Sequence, residues 1–141
     1  MASAAIIDIE SFLAPISDDN PVGSDIREDR SANSFFYQIK DARERARTAE
    51  RNAMLENDGG ASAIEEWRNV LDVAPSILKE ASKDIEVAAW YIEALVRVHG
   101  YAGFRDGLKL AQQLAVNFWD DIYPIPDEDD YEDEYEDEYE E

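Results

Sequence analysis

Apolar residues recur with a helical period along most of the chain, from about residue 31 to residue 122. The first long periodic segment begins near Ser31 and ends at the polar, glycine-rich run 57–60. Its inner side consists mostly of alanine, so a neighbouring helix can approach it closely: Phe35, Ile39, Ala42, Ala46, Ala49 and Ala53. No segment alternates with period two for long enough to indicate a strand. The pattern therefore predicts an all-α protein.

Three further helices are predicted after the first long one. The helix at 62–80 contains Pro75, which lacks an amide donor, so we expect a kink or break near residue 74. Ser82 is the expected N-cap of the next helix, which runs through His99, and Gly100 suits its left-handed C′ position. The last helix covers about 104–121, and its predicted inner side is Phe104, Leu108, Ala111, Ala115, Phe118 and Ile122.

A short amphipathic helix at 6–13, ended by Pro15, brings the expected number to about five. Short loops join these helices, which favours antiparallel helical hairpins. Pro124 and Pro126 close the helical domain, so the sequence predicts a helical domain at 1–126 and a separate tail at 127–141.

Charge is distributed very unevenly. The net charge is −21, from 34 acidic and 13 basic residues, and residues 127–141 carry 12 of the acidic groups and no basic group. Dense like charge opposes helix formation there, although Tyr131, Tyr135 and Tyr139 recur every four residues, so a disordered acidic tail is expected. The acidic field repels phosphate backbones and so argues against nucleic acid as a partner.

Few residues of the sequence could support catalysis or bind a metal ion. The chain has no cysteine and one histidine, His99, which falls in the last turn of a predicted helix. The loop from Asp18 to Asp29 resembles a calcium loop but has Val22 at a ligand position and too short an acid at the last one. We therefore expect no enzyme activity, no metal and no cofactor. The amino terminus lacks a signal-peptide pattern and no apolar run reaches membrane-spanning length, so cytoplasm without membrane insertion is expected.

One charged feature is a candidate for partner binding. Four basic residues share one side of the first long helix: Lys40, Arg43, Arg47 and Arg51. They form either a solvated face with local pairs to Glu44 and Glu50 or a docking row for an anionic partner. The row is also the expected site of a loose, salt-sensitive association with the acidic tail.

Three stretches resemble the ImpA-type amino-terminal domain of the TssA proteins of type VI secretion systems: 14–29 (APISDDNPVGSDIRED), 82–114 (beginning SKDIEVAAW) and 119–130 (WDDIYPIPDEDD). The resemblance implies an all-helical module without enzyme activity that helps the contractile tail to assemble. Eight positions match the family pattern, and from their placement we expect most to serve the fold: Asp84, Trp90, Gly100, Gly103, Arg105, Asp106, Gly107 and Trp119.

The resemblance implies protein partners among the baseplate, sheath or tube components, and self-association stays open. Family proteins continue into further helical domains, whereas this sequence passes into an acidic tyrosine segment after Pro126. A ring-forming role therefore does not carry over. The alternative function is an acidic decoy or inhibitor that imitates nucleic acid, and its support comes from residues 127–141 alone.

Overall fold

The computed structural model describes residues 3–56 and 59–126. Within them the protein is all-α, as predicted, with three long helices: α1 (Phe35–Glu56), α2 (Ala61–Glu80) and α3 (Ile85–Phe118). Two short 3₁₀ helices precede them, Ile9–Phe12 and Ile26–Glu28. The predicted α-helix at 6–13 is wrong, because only the single 3₁₀ turn forms there. The predicted tail at 127–141 lies outside the described residues.

Helices α1 and α2 pack side by side as a hairpin. The helix α1 begins at Phe35 rather than near Ser31. Ser34, just before this start, accepts a hydrogen bond through its hydroxyl oxygen from the Tyr37 amide at 3.3 Å. Its predicted inner side is confirmed at Ile39, Ala42, Ala46 and Ala53, which are buried. Gly59 and Gly60, both at positive φ, lead the chain into α2.

The helix α2 supplies much of the core. Its buried apolar residues are Trp67, Val70, Ala74, Ile77 and Leu78, with Ala63 near the start. The helix continues through Pro75, so the predicted break is wrong. Proline removes one helical hydrogen bond at a cost of about 3 kcal/mol. The complete burial of Ala74, Ile77 and Leu78 offsets this cost, because a broken helix would lose their packing.

Gly100 divides α3 into a first half (85–99) and a second half (101–118). Its φ of 63° has the predicted sign, but a ψ of −144° takes it outside the left-handed helical region. The two halves fold back on each other as a second antiparallel hairpin, with Gly103 against Leu95 and Gly107 against Ile92. A Cβ at Gly103 would overlap the Leu95 carbonyl oxygen, so this close approach requires glycine.

This approach corrects the predicted register of the second half. The side that faces inward carries Gly103, Gly107, Leu110 and Leu114, all buried. Of the large side chains predicted to face inward, Phe104 and Leu108 are instead 43% and 48% exposed, whereas Phe118 and Ile122 are partly buried against the core, as predicted. The glycines explain the reversal, because only their side of the helix can lie close to residues 85–99.

Residues 82–84 form a crossing point of the chain. The Lys83 amide donates to the Val22 carbonyl at 2.8 Å, and the Tyr123 amide donates to the Lys83 carbonyl at 2.9 Å. The Ile85 amide in turn donates to the Tyr123 carbonyl at 2.8 Å. The loop before α1 and the segment after α3 are therefore both fastened at the start of α3.

Candidate protein-binding surface

Three consecutive polar residues at the crossing point are fully buried: Ser82, Lys83 and Asp84. The Lys83 ammonium donates to the carbonyl oxygens of Phe12 at 2.6 Å and Leu78 at 2.8 Å, and so joins the first 3₁₀ helix to the end of α2. Burial disfavours the charged form and lowers the pKa of Lys83 to about 8. With its donors occupied inside the protein, Lys83 serves the fold rather than a ligand.

Asp84, not Ser82, is the N-cap of α3. Its carboxylate accepts hydrogen bonds from the amides of Glu86 and Val87 at 2.9 and 3.1 Å. The same carboxylate lies 2.7 Å from the Arg27 guanidinium, which also contacts Glu86 at 2.8 Å. Burial acts to lower the pKa of Arg27, but the hydrogen bonds to Asp84 and Glu86 outweigh burial and raise it. This cluster holds the second 3₁₀ helix against α3.

The basic row of α1 is divided between the fold and the solvent. Arg43 lies 2.8 Å from the Glu93 carboxylate of α3 and stacks 5.4 Å from the centre of the Trp90 ring. Lys40 lies over the Phe36 ring at 5.7 Å, and Arg51 donates to the Thr48 hydroxyl at 3.4 Å. Lys40, Arg47 and Arg51 have exposed side chains, whereas Arg43 is half-buried. One of the four basic residues, Arg43, therefore connects α1 to α3.

Glu50 is a contact point for three helices. It accepts from Arg97 of α3 at 2.6 Å and from the Trp67 indole nitrogen of α2 at 3.0 Å. The hydrogen bond from Arg97 is the largest reason why the pKa of the Glu50 carboxyl lies below its usual value. The positive charge of Arg47, a member of the basic row, also lowers the pKa of Glu50, so this carboxylate interacts with the row as well as with α2 and α3.

A continuous apolar surface lies on the outer side of the second half of α3. Its members follow helical spacing, and we call them the α3 face: Tyr101, Phe104, Leu108, Ala111, Ala115 and Trp119. Tyr101 and Trp119 are the most exposed, at 91% and 74%, and the two alanines between the larger side chains are half-buried. An exposed apolar patch of this kind marks a binding surface more often than chance exposure does.

The α3 face also differs in charge from the rest of the chain. Asp106 is the only acidic residue in 101–119, and it is buried and paired with Arg105 at 2.8 Å. That pairing is the main reason why the pKa of Asp106 is lowered. Arg105 and Lys109 flank the face, and Lys109 shares a surface depression with Asp8 and Glu10. Residues 101–118 thus carry no exposed carboxylate, but two exposed carboxylates, Asp120 and Asp121, directly follow Trp119 at one end of the face.

Within residues 3–56 and 59–126, the residues considered as metal ligands or catalytic groups do not lie together at one site. No group of three or more His, Asp or Glu side chains in those ranges is arranged to hold a metal ion. His99 is exposed at the end of its helical half, next to Gly100. The 18–23 loop is instead held by Asn20, whose amide side chain donates to the Gly23 carbonyl at 2.8 Å. No helix in the described part of the chain is long and apolar enough to cross a membrane.

Comparison with known proteins places this fold in a family. Residues 13–136 match the family described as "ImpA, N-terminal, type VI secretion system", which is most of the chain. The chain belongs to the ImpA N-terminal family.

Two relatives show how far the likeness extends. The type VI secretion system component TssA1 of Pseudomonas aeruginosa is 29% identical over 125 residues, which cover 89% of this chain and 34% of TssA1. The solved N-terminal domain of TssA from Burkholderia cenocepacia, which includes the conserved ImpA_N region, matches with a TM-score of 0.65 and 30% identity. That match covers 94% of this chain and 45% of the solved chain. The chain thus spans about a third of TssA1 and less than half of the solved structure.

The positions that match the ImpA N-terminal pattern lie mostly at contacts inside the fold. Asp84 caps α3, Gly100 makes its turn, and Gly103 and Gly107 allow its two halves to meet. Trp90 is half-buried against the core beneath Arg43. Asp106 accepts from the Ile6 amide at 2.6 Å, while Arg105 donates to the Ser3 and Ala4 carbonyls. Trp119 differs from the others, because its exposed indole lies on the α3 face.

Several residues of this ImpA N-terminal domain carry contacts that sequence reasoning missed. Arg27, Lys83 and Glu50 each join distant segments, and Trp67 is the fully buried tryptophan. The SKD motif pointed to the location of Lys83 and Asp84 but not to the burial of the lysine. Arg27 had no comparable signal, because its partner Asp84 is 57 residues away in the sequence.

Proposed function

We propose that this chain is a non-enzymatic protein-interaction module that assists assembly of a type VI secretion system in the cytoplasm, where it binds a baseplate, sheath or tube component. Membership of the ImpA N-terminal family supports a role in a type VI secretion system. Both relatives named above are TssA components of such a system. The observation that carries the binding role is the α3 face, an apolar helix side left exposed by an otherwise well-packed domain.

The α3 face selects a partner of a particular chemistry. Two alanines between larger aromatic and aliphatic side chains suit an amphipathic helix, whose side chains can fill the low positions at Ala111 and Ala115. Lys109 at the margin favours carboxylates on that partner, whereas Arg105 is already engaged by Asp106 and by the Ser3 and Ala4 carbonyls. We therefore propose an acidic amphipathic helix of the partner protein as the bound element.

The basic row of α1 is a second proposed contact. Lys40, Arg47 and Arg51 point to solvent and would add weak, salt-sensitive attraction to an acidic partner. Arg43 contributes less than the sequence predicted, because Glu93 and Trp90 already engage it. The alternative of an acidic decoy draws its support from residues 127–141, which lie outside the described residues.

The test is a secretion assay in a host with an active type VI system. Leu108→Asp should reduce release of the tube protein and weaken binding to whichever purified baseplate, sheath or tube component the chain contacts. Leu55→Asp is the matched control, because Leu55 is also exposed but lies at the end of α1. Circular dichroism checks that both variants remain folded. Undiminished secretion after complete removal of the chain would refute the proposed function.

A further inference from the structure

The α3 face leaves large apolar side chains exposed to water in the described part of the chain. Six apolar side chains at helical spacing leave a continuous area that water solvates poorly. Residues 101–118 contain one acidic residue, the buried Asp106, whereas the exposed side of α1 is mainly polar and charged. An occupant should therefore combine large apolar side chains with carboxylates.

Residues 127–141 have this composition. Their three tyrosines, Tyr131, Tyr135 and Tyr139, are spaced by four residues, and the other twelve residues of the segment are all acidic. Dense like charge opposes a helix in the free segment, but if the segment becomes helical on binding, a spacing of four places these side chains on one side. The segment therefore carries both features that the α3 face selects.

The geometry of the chain brings this segment to the correct end of the face. Tyr123 is fastened beside Lys83 at the start of α3, and the second half of α3 ends there because it runs antiparallel to the first. A chain leaving Pro126 therefore starts near Trp119 and can return toward Tyr101. Fifteen residues in a helix span roughly 22 Å, against roughly 27 Å between Tyr101 and Trp119 along α3.

We propose that residues 127–141 bind the α3 face of the same chain and compete with the partner for it. This inference rests on the proposed function, since it assigns a regulator to the same surface. Tyrosine rings pack over Ala111 and Ala115, and carboxylates approach Lys109, because Arg105 is already paired with Asp106. Binding within one chain needs little intrinsic affinity, because a short tether gives an effective concentration of roughly millimolar.

The basic row of α1 is the competing location for the segment. It offers positive charge but no apolar stripe, and Arg43 is already paired with Glu93. Exposed ion pairs contribute only about 0.2–1 kcal/mol each and weaken with salt. The aromatic burial available on the α3 face therefore favours that face over the row.

The experiment uses a spin label on the full-length chain. Because the chain has no cysteine, Glu134→Cys creates a unique attachment site for a nitroxide. Paramagnetic broadening of backbone amide signals should be several-fold stronger at Leu108, Ala111 and Ala115 than along Lys40 to Arg51. Leu108→Asp, or the triple variant Tyr131→Ser, Tyr135→Ser and Tyr139→Ser, should abolish the difference, whereas Leu55→Asp should preserve it.

Other outcomes would overturn the inference. Broadening centred on α1 would move the segment to the basic row, and uniform weak broadening would leave it unbound. Broadening that appears only when labelled and unlabelled copies are mixed would show binding between two chains. No partner protein is present in this experiment, so a negative result leaves the secretion test of Leu108→Asp unaffected.

Discussion

The Nη1 atom of Arg27 lies 2.7 Å from Oδ2 of Asp84, and this ion pair joins the second 3₁₀ helix to the first turn of α3. Asp84 is fully buried and Arg27 is partly so. The carboxylate also accepts two amide hydrogen bonds, so it is well satisfied only while both the helix start and the arginine are in place. The pair therefore couples the amino-terminal loop to the helical hairpins.

Replacing Arg27 with methionine should lower the free energy of unfolding by about 2–3 kcal/mol, because Asp84 would remain buried without its counter-ion. The control is Arg30→Met, which alters an exposed arginine nearby and should change stability little. Urea denaturation suits the measurement, since it avoids screening the pair with salt. Equal stability of the two variants would show that the ion pair contributes nothing net.

The stability of the protein should rise between pH 8 and pH 10 because of Lys83. Its folded pKa of about 8 lies below the unfolded value of about 10.4, so the unfolded chain binds more protons in this window. Stability then increases as the pH rises, by about 2 kcal/mol across the window. Above it, Tyr91 opposes the trend, because burial raises the pKa of its hydroxyl to about 12.

Urea titrations at closely spaced pH values would measure this slope. Lys83→Met should remove it, and Lys109→Met, which alters an exposed lysine of α3, should retain it. A slope of the same size in both variants would assign the pH dependence to other groups.

The two helix-packing glycines should differ in their tolerance of alanine. Gly103→Ala should destabilise by about 1–3 kcal/mol despite the better helix propensity of alanine, because the new methyl group meets the Leu95 backbone carbonyl. Gly107→Ala should cost less, since its methyl group would meet the Ile92 side chain at 2.7 Å, and a side chain can rotate away. Thermal unfolding of both variants tests the order, and the reverse order would contradict the packing described here.

Trp67 and Trp90 should contribute unequally to stability. Trp67 is fully buried and bonded to Glu50, so Trp67→Ala should cost about 3–5 kcal/mol. Trp90 is half-buried beneath Arg43, so Trp90→Ala should cost about half as much. Chemical denaturation of each variant provides the comparison, and a larger loss at Trp90 would reverse the assignment.

The sequence predicted that α1 and α2 exist, because the apolar residues in these segments can all be buried on one side only if the segments are helical. The inner side of α1 was also predicted correctly from its alanines. The second half of α3 was not, since Phe104 and Leu108 form as good a helical pattern as Leu110 and Leu114 do. Only the position of Gly103 and Gly107 against Leu95 and Ile92 decides between them, and that is a tertiary contact.

The candidate site shows the same limit. The basic row was visible in the sequence, but the pairing of Arg43 with Glu93, 50 residues away, was not. Four residues of the α3 face were visible as a pattern and were assigned to the interior: Phe104, Leu108, Ala111 and Ala115. Periodicity identifies which residues share a helix side, whereas the neighbouring helix determines which side is covered.

The fastening of Tyr123 beside Lys83 also determines how the domain responds to mechanical load. Tension applied to the chain at Pro126 reaches the two hydrogen bonds of Tyr123 before it reaches any helix. These bonds join Tyr123 to the start of α3, and Ile122 packs against the core beside them, so both attachments must break before residues 119–126 separate from the two hairpins. A pull on Pro126 is thus expected to load the attachment of Tyr123 before it loads the packing between the hairpins.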